Sequence, residues 1–278
     1  MRYSPPPASL GDRISSLYEL QQDSETYNEL ERADRPQFRI LLSGSGHYEF
    51  TNGQIDPSGR VIILGPTSGP VRGVGTGPMH CVGAGLLPPA WVSIAGHDAE
   101  QWIDRAIDAQ ALFGECATAL ADAVAGAEDT DERFRLICAF LETATADTDP
   151  AKLAFTRKVD AWLCSAPDPQ IDELVAHSGL SMRQLERLTK RYYGLPPKTL
   201  ARKYRALRAA SALARGEDLT DCDIANSFYD QSHLIREVKR FAGLTPQQIK
   251  KRQSQLLIEI SVGRKSLEGQ VGPLVSDA

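Results

Sequence analysis

One arrangement of basic and amide side chains occurs twice. Ser181–Pro197 reads SMRQLERLTKRYYGLPP and Asp230–Pro246 reads DQSHLIREVKRFAGLTP. Each copy has a capping residue and then Leu-x-Arg, as Leu185-Glu186-Arg187 and Leu234-Ile235-Arg236. Each continues with Lys-Arg and an aromatic, as Lys190-Arg191-Tyr192 and Lys239-Arg240-Phe241, and ends in Gly-Leu-x-Pro. Arg187 and Arg236 are 49 residues apart. An arginine fork matches two acceptors on one guanine edge, and Gln, Ser, His and Glu also hydrogen-bond base edges. Lys and Arg farther along such a helix meet phosphates. The chemistry is therefore non-covalent recognition of a polyanion. The expected base-reading residues are Arg183, Glu186 and Arg187 in the first copy and Gln231, Ser232, His233 and Arg236 in the second. Lys190, Arg191, Lys239 and Arg240 are expected at phosphates. Each has a plainer alternative. Arg187 and Arg236 can form salt bridges, His233 can pack at the helix start, and Glu186 can orient Arg183 or Arg187. Lys-Arg pairs are commonly just solvated, but a generic solvated face has no reason to recur.

The elements that must position these residues are helices. Ser181 and Gln184 form a capping box that opens Met182–Tyr192. Asp230 caps Gln231–Ala242, whose stripe is Leu234, Val238 and Phe241, and Gly243 stops it. A short helix from Asp168-Pro169 to His177, a turn at Gly179 and the capped helix make a helix-turn-helix pattern. Lys198–Arg215 reads as one long helix of about 27 Å at about 1.5 Å per residue. It would hold the two basic helices about one DNA turn apart, roughly 34 Å. Asp221–Ser227 and Pro246–Arg252 complete the helical set, and Lys152–Cys164 precedes it.

The second copy, DQSHLIREVKRFAGLTP, resembles the signature of the AraC/XylS family of bacterial transcription regulators, over roughly Lys152–Arg252. The resemblance implies a C-terminal double helix-turn-helix domain at 152–252 that binds promoter DNA. It also implies a cupin-like N-terminal sensor and dimerisation domain within 1–147. RNA polymerase, a small-molecule effector in the N-terminal domain and a second copy of the chain are the implied partners. The second unit departs from the family at two places. Ser227 occupies the turn position usually held by glycine, and Asp223 falls where a small residue packs.

Charge divides the chain accordingly. Residues 1–150 carry a balance of −12, residues 151–252 one of +8, and residues 253–278 one of −1. An acidic front and a basic back suit two domains with different partners. The expected fold is thus an N-terminal β-barrel or sandwich with following helices, then an all-α double helix-turn-helix. Met1–Arg35 reads as a polar lead-in, with Gln21–Arg35 a loop or ragged helix. Phe38–Leu87 reads as β-structure, since eleven of the 22 glycines fall between Gly44 and Gly85. Gly73-Val74-Gly75-Thr76-Gly77 lacks the lysine ending of a phosphate loop and reads as turns. His97–Phe113, Glu115–Ala125 and Asp131–Ala144 read as helices. Thr145–Ala151 reads as the linker. Residues 253–278 read as a tail, helical to Ile260 and then flexible.

Other chemistry finds little support. Cys81, Cys116, Cys138, Cys164 and Cys222 form no CxxC pair, so neither a disulfide framework nor a zinc site is expected. His47, Glu49 and His80 do not make a cupin metal set. No cofactor and no catalytic residue are expected. The N-terminus lacks a signal-peptide core and no apolar run spans a membrane, so a cytoplasmic location is expected. Two alternatives stay open: an interaction protein or co-regulator with weakened DNA reading, and an enzyme tethered to DNA.

Overall fold

The computed structural model describes residues 1–96, 98–146, 149–220 and 223–278. His97 at the start of the expected helical section, Asp147 and Thr148 in the expected linker, and Asp221 and Cys222 lie outside the described residues.

The front of the chain builds an antiparallel sheet. Its strands are β1 (Arg2–Ser4), β2 (Ile14–Gln22), β3 (Thr26–Glu31), β4 (Gln37–Phe50), β5 (Ile55–Pro57), β6 (Val61–Leu64), β7 (Val71–Leu86) and β8 (Ala106–Asp108). The order is β1-β2-β7-β4-β6-β8, with β3 also paired to β7 and β5 to β4. The long strands β4 and β7 pair with register shifts between Leu41 and Ser45, which bend the sheet.

Three expectations are corrected here. The lead-in is not loop or helix but strands β1 to β3. Ile14–Glu19 is buried on both faces, so it lacks the alternation that marks a half-buried strand. The run from Gly73 to Gly77 is not a set of turns but part of β7, which pairs with both β3 and β4 there. Glycine is needed at that crossing, because a Cβ on Gly75 would lie 2.1 Å from the Ser45 carbonyl oxygen. Residues 98–113 are not one helical section. A 3-10 turn at Ala99–Trp102 leads into β8, where Ile107 lies opposite Ile63 of β6. Backbone pairing along β6 overrides the helical spacing of Trp102, Ala106 and Phe113.

Helices follow: α1 (Pro88–Ala95), α2 (Gln110–Phe113), α3 (Glu115–Gly126) and α4 (Thr130–Ala144). The expected stripe of α4 is buried, with Phe134, Ile137 and Leu141 turned inward. Phe140 stacks on Phe38 of β4 at 5.6 Å between ring centroids. The remaining helices are α5 (Pro150–Ser165), α6 (Ile171–Ser178), α7 (Met182–Tyr193), α8 (Pro197–Arg215), α9 (Gln231–Ala242), α10 (Pro246–Lys250), α11 (Gln255–Lys265) and α12 (Pro273–Ser276). Among the described residues no helix is long and apolar enough to cross a membrane.

The end of the chain is not flexible beyond Ile260. Leu256, Leu257, Ile258 and Ile260 are all buried in α11. Arg264 forms an ion pair with Asp34, which follows β3. Arg35 donates to the Leu274 carbonyl at 2.6 Å and Arg32 to the Ala278 carbonyl at 2.7 Å. The sequence reads as a tail there, because these partners lie more than two hundred residues earlier. Sheet and helices share one core, in which Phe38, Trp91, Leu163 and Tyr204 are buried.

Candidate nucleic-acid interface

Two caps of each basic helix form as their residues dictate. The Ser181 hydroxyl accepts from the Gln184 amide at 3.4 Å, and the Gln184 side chain accepts from the Ser181 amide at 3.0 Å. The Asp230 carboxylate accepts from the His233 amide at 2.6 Å. Gly194 and Gly243 end α7 and α9 in left-handed conformation, which glycine adopts without steric cost. Leu185, Thr189, Tyr192 and Tyr193 face inward from α7, and Glu237, Val238, Phe241 and Ala242 from α9. Each fully buried aliphatic or aromatic side chain contributes about 1.5–3 kcal/mol.

Arginines of α8 brace α9 and the approaches to α6 and α9. Arg202 donates to the Glu237 carboxylate of α9 at 2.9 and 2.7 Å. Burial, the largest single influence on Glu237, opposes its ionisation. The Arg202 hydrogen bonds and charge outweigh it and lower the pKa. Arg205 donates to Asp168, ahead of α6, and to the Ser227 carbonyl, ahead of α9. Its guanidinium also lies 5.0 Å from the Phe228 ring centroid. Sequence reasoning missed Arg202 and Glu237 as a pair, because 35 residues separate them and Glu237, though inside the second copy, stands where the first copy has Leu188.

The first helix-turn-helix is regular. α6 ends at Gly179 with φ 71°, and α7 follows. In the second unit the expected helix Asp221–Ser227 is, among the described residues, only a 3-10 turn at Ala225–Ser227. Asp223 takes φ 55° and is exposed, with its carboxylate accepting from Asn226 at 3.1 Å. It therefore faces solvent rather than α9. Ser227 does not adopt the left-handed conformation, and Phe228 fills the space beneath α9 instead.

The structure puts Arg183, Glu186 and Arg187 on the exposed face of α7, and Gln231, Ser232 and Arg236 on the exposed face of α9. Among the described residues no ion pair engages Arg183, Arg187 or Arg236. His233 is half-buried. Its Nδ1 accepts from the Tyr229 amide at 3.3 Å, and its ring meets Phe228 edge-on at 5.7 Å. Tyr229 itself is 93% exposed at the start of α9. Lys239 and Arg240 are exposed, Arg240 lying over the Phe241 ring at 5.3 Å. Lys190 and Arg191 differ: Lys190 pairs with Glu100 at 2.8 Å and Arg191 with Asp98 at 3.0 Å. The hydrogen bond to Glu100 is the main cause that raises the Lys190 pKa.

A cavity of about 340 Å³ lies where sheet and helices meet, with Ile14, Arg35, Asp160, Tyr193, Lys203 and Leu274 among its lining. Lys203 donates to the carbonyls of Asp34 and Thr67, and burial pushes its pKa down to about 7. Asp160 accepts from the Tyr193 hydroxyl at 2.8 Å, and burial pushes its pKa up to about 6. Among the described residues no group of three His, Cys, Asp or Glu side chains is placed to hold a metal ion.

Residues 174–252 match the helix-turn-helix domain family. The F1 operon positive regulatory protein of Yersinia pestis is 48% identical over 80 residues, which are 28% of this chain and 26% of that protein. The chain thus aligns with about a quarter of that relative's length. ToxT from Vibrio cholerae O395, bound to (E)-4-(8-methylnaphthalen-1-yl)but-3-enoic acid, has a similar fold. Its TM-score is 0.50 at 10% identity, covering 93% of this chain and 100% of that one. The AraC-like transcriptional activator CuxR covers 78% of this chain and 82% of its own at 18% identity and a TM-score of 0.31.

Proposed function

We propose that this chain, whose C-terminal segment is an AraC-type helix-turn-helix domain, is a sequence-specific regulator of transcription that binds double-stranded promoter DNA. The observation that carries the proposal is the pair of capped basic helices that hold Arg183, Arg187 and Arg236 on their exposed faces, without an ion pair among the described residues, with α9 fastened to α8. Each subunit would read two adjacent major-groove segments. Arg183, Glu186 and Arg187 would meet bases from α7, and Gln231, Ser232, His233 and Arg236 from α9. Since His233 already braces the start of α9, it contributes less reading capacity than its neighbours. Lys190, Arg191, Lys239 and Arg240 would neutralise phosphates.

Residues 152–252 would supply DNA recognition, 1–147 sensing and dimerisation, and 253–278 the strap between them. No catalytic step is assigned. RNA polymerase and a second copy of the chain are the proposed protein partners. The cavity between sheet and helices is the proposed effector site in place of the sheet interior, because it touches both parts and carries Lys203 and Asp160 at its wall. ToxT bound to an aromatic butenoic acid is a precedent for a ligand in this fold.

The test is chromatin pull-down to identify the operator, followed by duplex binding of Arg187→Ala and Arg236→Ala. Each should lose about 1–3 kcal/mol of discrimination at its own base pair. Unchanged promoter binding by both variants would sink the assigned roles. The reduced first helix of the second unit favours one other reading, a co-regulator that reads DNA through α7 alone. In that case only Arg187→Ala would matter.

A further inference from the structure

The two basic helices are copies in sequence but not in their surroundings. Both end against the N-terminal part of the chain. A Cβ on Gly194, just after α7, would lie 3.1 Å from Pro66 and 3.4 Å from the Ala99 carbonyl oxygen. The Phe241 carbonyl, near the end of α9, accepts from the Ala33 amide at 2.7 Å. Beyond that common docking the two diverge. In α7 the Lys-Arg pair meets two carboxylates, Glu100 on Lys190 and Asp98 on Arg191. In α9 no ion pair occupies Lys239 or Arg240 among the described residues, and both are exposed.

The carboxylates come from one short turn, Asp98–Glu100, and among the described residues their ion pairs are with Lys190 and Arg191 alone. Asp98 occupies the cap position of the 3-10 turn, yet its side chain makes no capping bond. All four side chains of the two pairs are 41–54% exposed, so they do not belong to the packed core. Exposed pairs of this kind hold weakly and are screened by salt. Arg191 meets Asp98 through charge more than through an aligned hydrogen bond, since its Nε finds no acceptor in bonding geometry. A carboxylate presents two anionic oxygens to a cation much as a phosphate does.

We propose that Asp98 and Glu100 act as a phosphate mimic, occupying the cations of α7 so that the first unit is held back from DNA while the second is left open. The proposal rests on the DNA-binding reading and assigns its regulation. DNA phosphates and the acidic turn compete for Lys190 and Arg191. The protein in this conformation engages a polyanion through α9 first, and α7 joins when the turn is displaced. The base-reading residues of α7 remain exposed throughout, so the restraint acts on backbone contacts rather than on sequence choice.

The test uses the full chain and a random-sequence duplex of about 30 base pairs, so no operator need be known. Binding is followed by fluorescence anisotropy at about 0.1 M salt, where phosphate contacts dominate non-specific affinity. Asp98→Asn with Glu100→Gln should tighten binding by roughly 3- to 10-fold, the range expected for freeing two phosphate-contacting cations. Glu115→Gln with Glu128→Gln removes the same charge from exposed sites on the same part of the chain and controls for general repulsion. In a Lys190→Ala, Arg191→Ala background the Asp98 and Glu100 substitutions should bring no gain beyond that control. A gain equal to the control in the native background, or a gain that persists without the two cations, overturns the mimicry. Failure of every protein to bind the duplex removes the DNA-binding reading itself, and the mimicry with it.

Discussion

Arg202→Met separates the two roles of the contact that fastens α9 to α8. The substitution keeps an apolar stem and removes two charge-assisted hydrogen bonds at 2.9 and 2.7 Å. It leaves the Glu237 carboxylate, 4% exposed, without its cation. Breaking a buried pair from one side costs about 3–5 kcal/mol. The Arg202 side chain is 34% exposed, so water reaches the vacated position and the expected loss falls to about 2–3 kcal/mol. At about 2–4 °C per kcal/mol for a chain of this size, the melting temperature should drop by roughly 4–12 °C near neutral pH. The pH dependence is the sharper signature. In the wild type the folded Glu237 pKa lies below its unfolded value, so its stabilisation is present above the unfolded pKa, about 4.3, and is lost as pH falls through the folded one. In the variant the Arg202 contribution is gone, burial is opposed only by the charges of His233 and Arg205, and the folded pKa rises. The folded state then binds a proton that the unfolded state has released, and stability falls as pH rises through that window. Both changes have the same sign, so the deficit must be larger at about pH 7.5 than at about pH 4.5. Urea unfolding of both proteins at the two pH values is the assay. Equal deficits at both, or a deficit under about 0.5 kcal/mol, would refute the account of Glu237 as a buried anion held by Arg202.

Asp160 should show a related dependence with no cation to explain it. Its folded pKa of about 6 lies above the unfolded value of about 3.9, so the folded state holds a proton and stability falls between about pH 4 and 6. Asp160→Asn should abolish that slope and stabilise the protein at pH 7 by about 1–2 kcal/mol, read from melting curves at both ends of the window. Gly75→Ala should cost more than about 3 kcal/mol, because its Cβ would meet the Ser45 carbonyl oxygen at 2.1 Å between paired strands. Gly53→Ala has no atom within 4 Å and only a left-handed backbone at φ 86° to oppose it, so about 1 kcal/mol is expected. Chemical denaturation of the two alanine variants should separate them clearly.

Local chemistry made much of the helical half legible. The capping box at Ser181, the Asp230 cap, the stops at Gly179, Gly194 and Gly243, and the long α8 are each decided by residues within a few positions. The inward stripe of α9 was readable for the same reason, with Val238 and Phe241 fully buried. The sheet was less legible. β2 is covered on both faces and shows no alternation, β7 hides a strand inside a glycine run, and β8 sits where helical spacing competes. Their states depend on partners that are distant in sequence. The second unit lies between these cases. Ser227 and Asp223 flagged an irregular turn, but Phe228, Arg205 and Glu237 reveal how α9 is nevertheless held.

By itself, the sequence determined the repeated basic helix, its caps, the charge division and the likeness to a family of DNA-binding domains. All of these follow from side-chain type and short-range spacing. Only the tertiary structure decided that residues 254–278 pack between sheet and helices, that a cavity opens there with Lys203 and Asp160 at its wall, and that Arg202 holds Glu237. It alone distinguished the two copies, placing Asp98 and Glu100 on the cations of α7 while, among the described residues, no ion pair meets Lys239 or Arg240 of α9. The physical reason is range. A cap or a stop acts over three or four residues, whereas an ion pair spanning 90 residues exists only once the whole chain has folded back on itself.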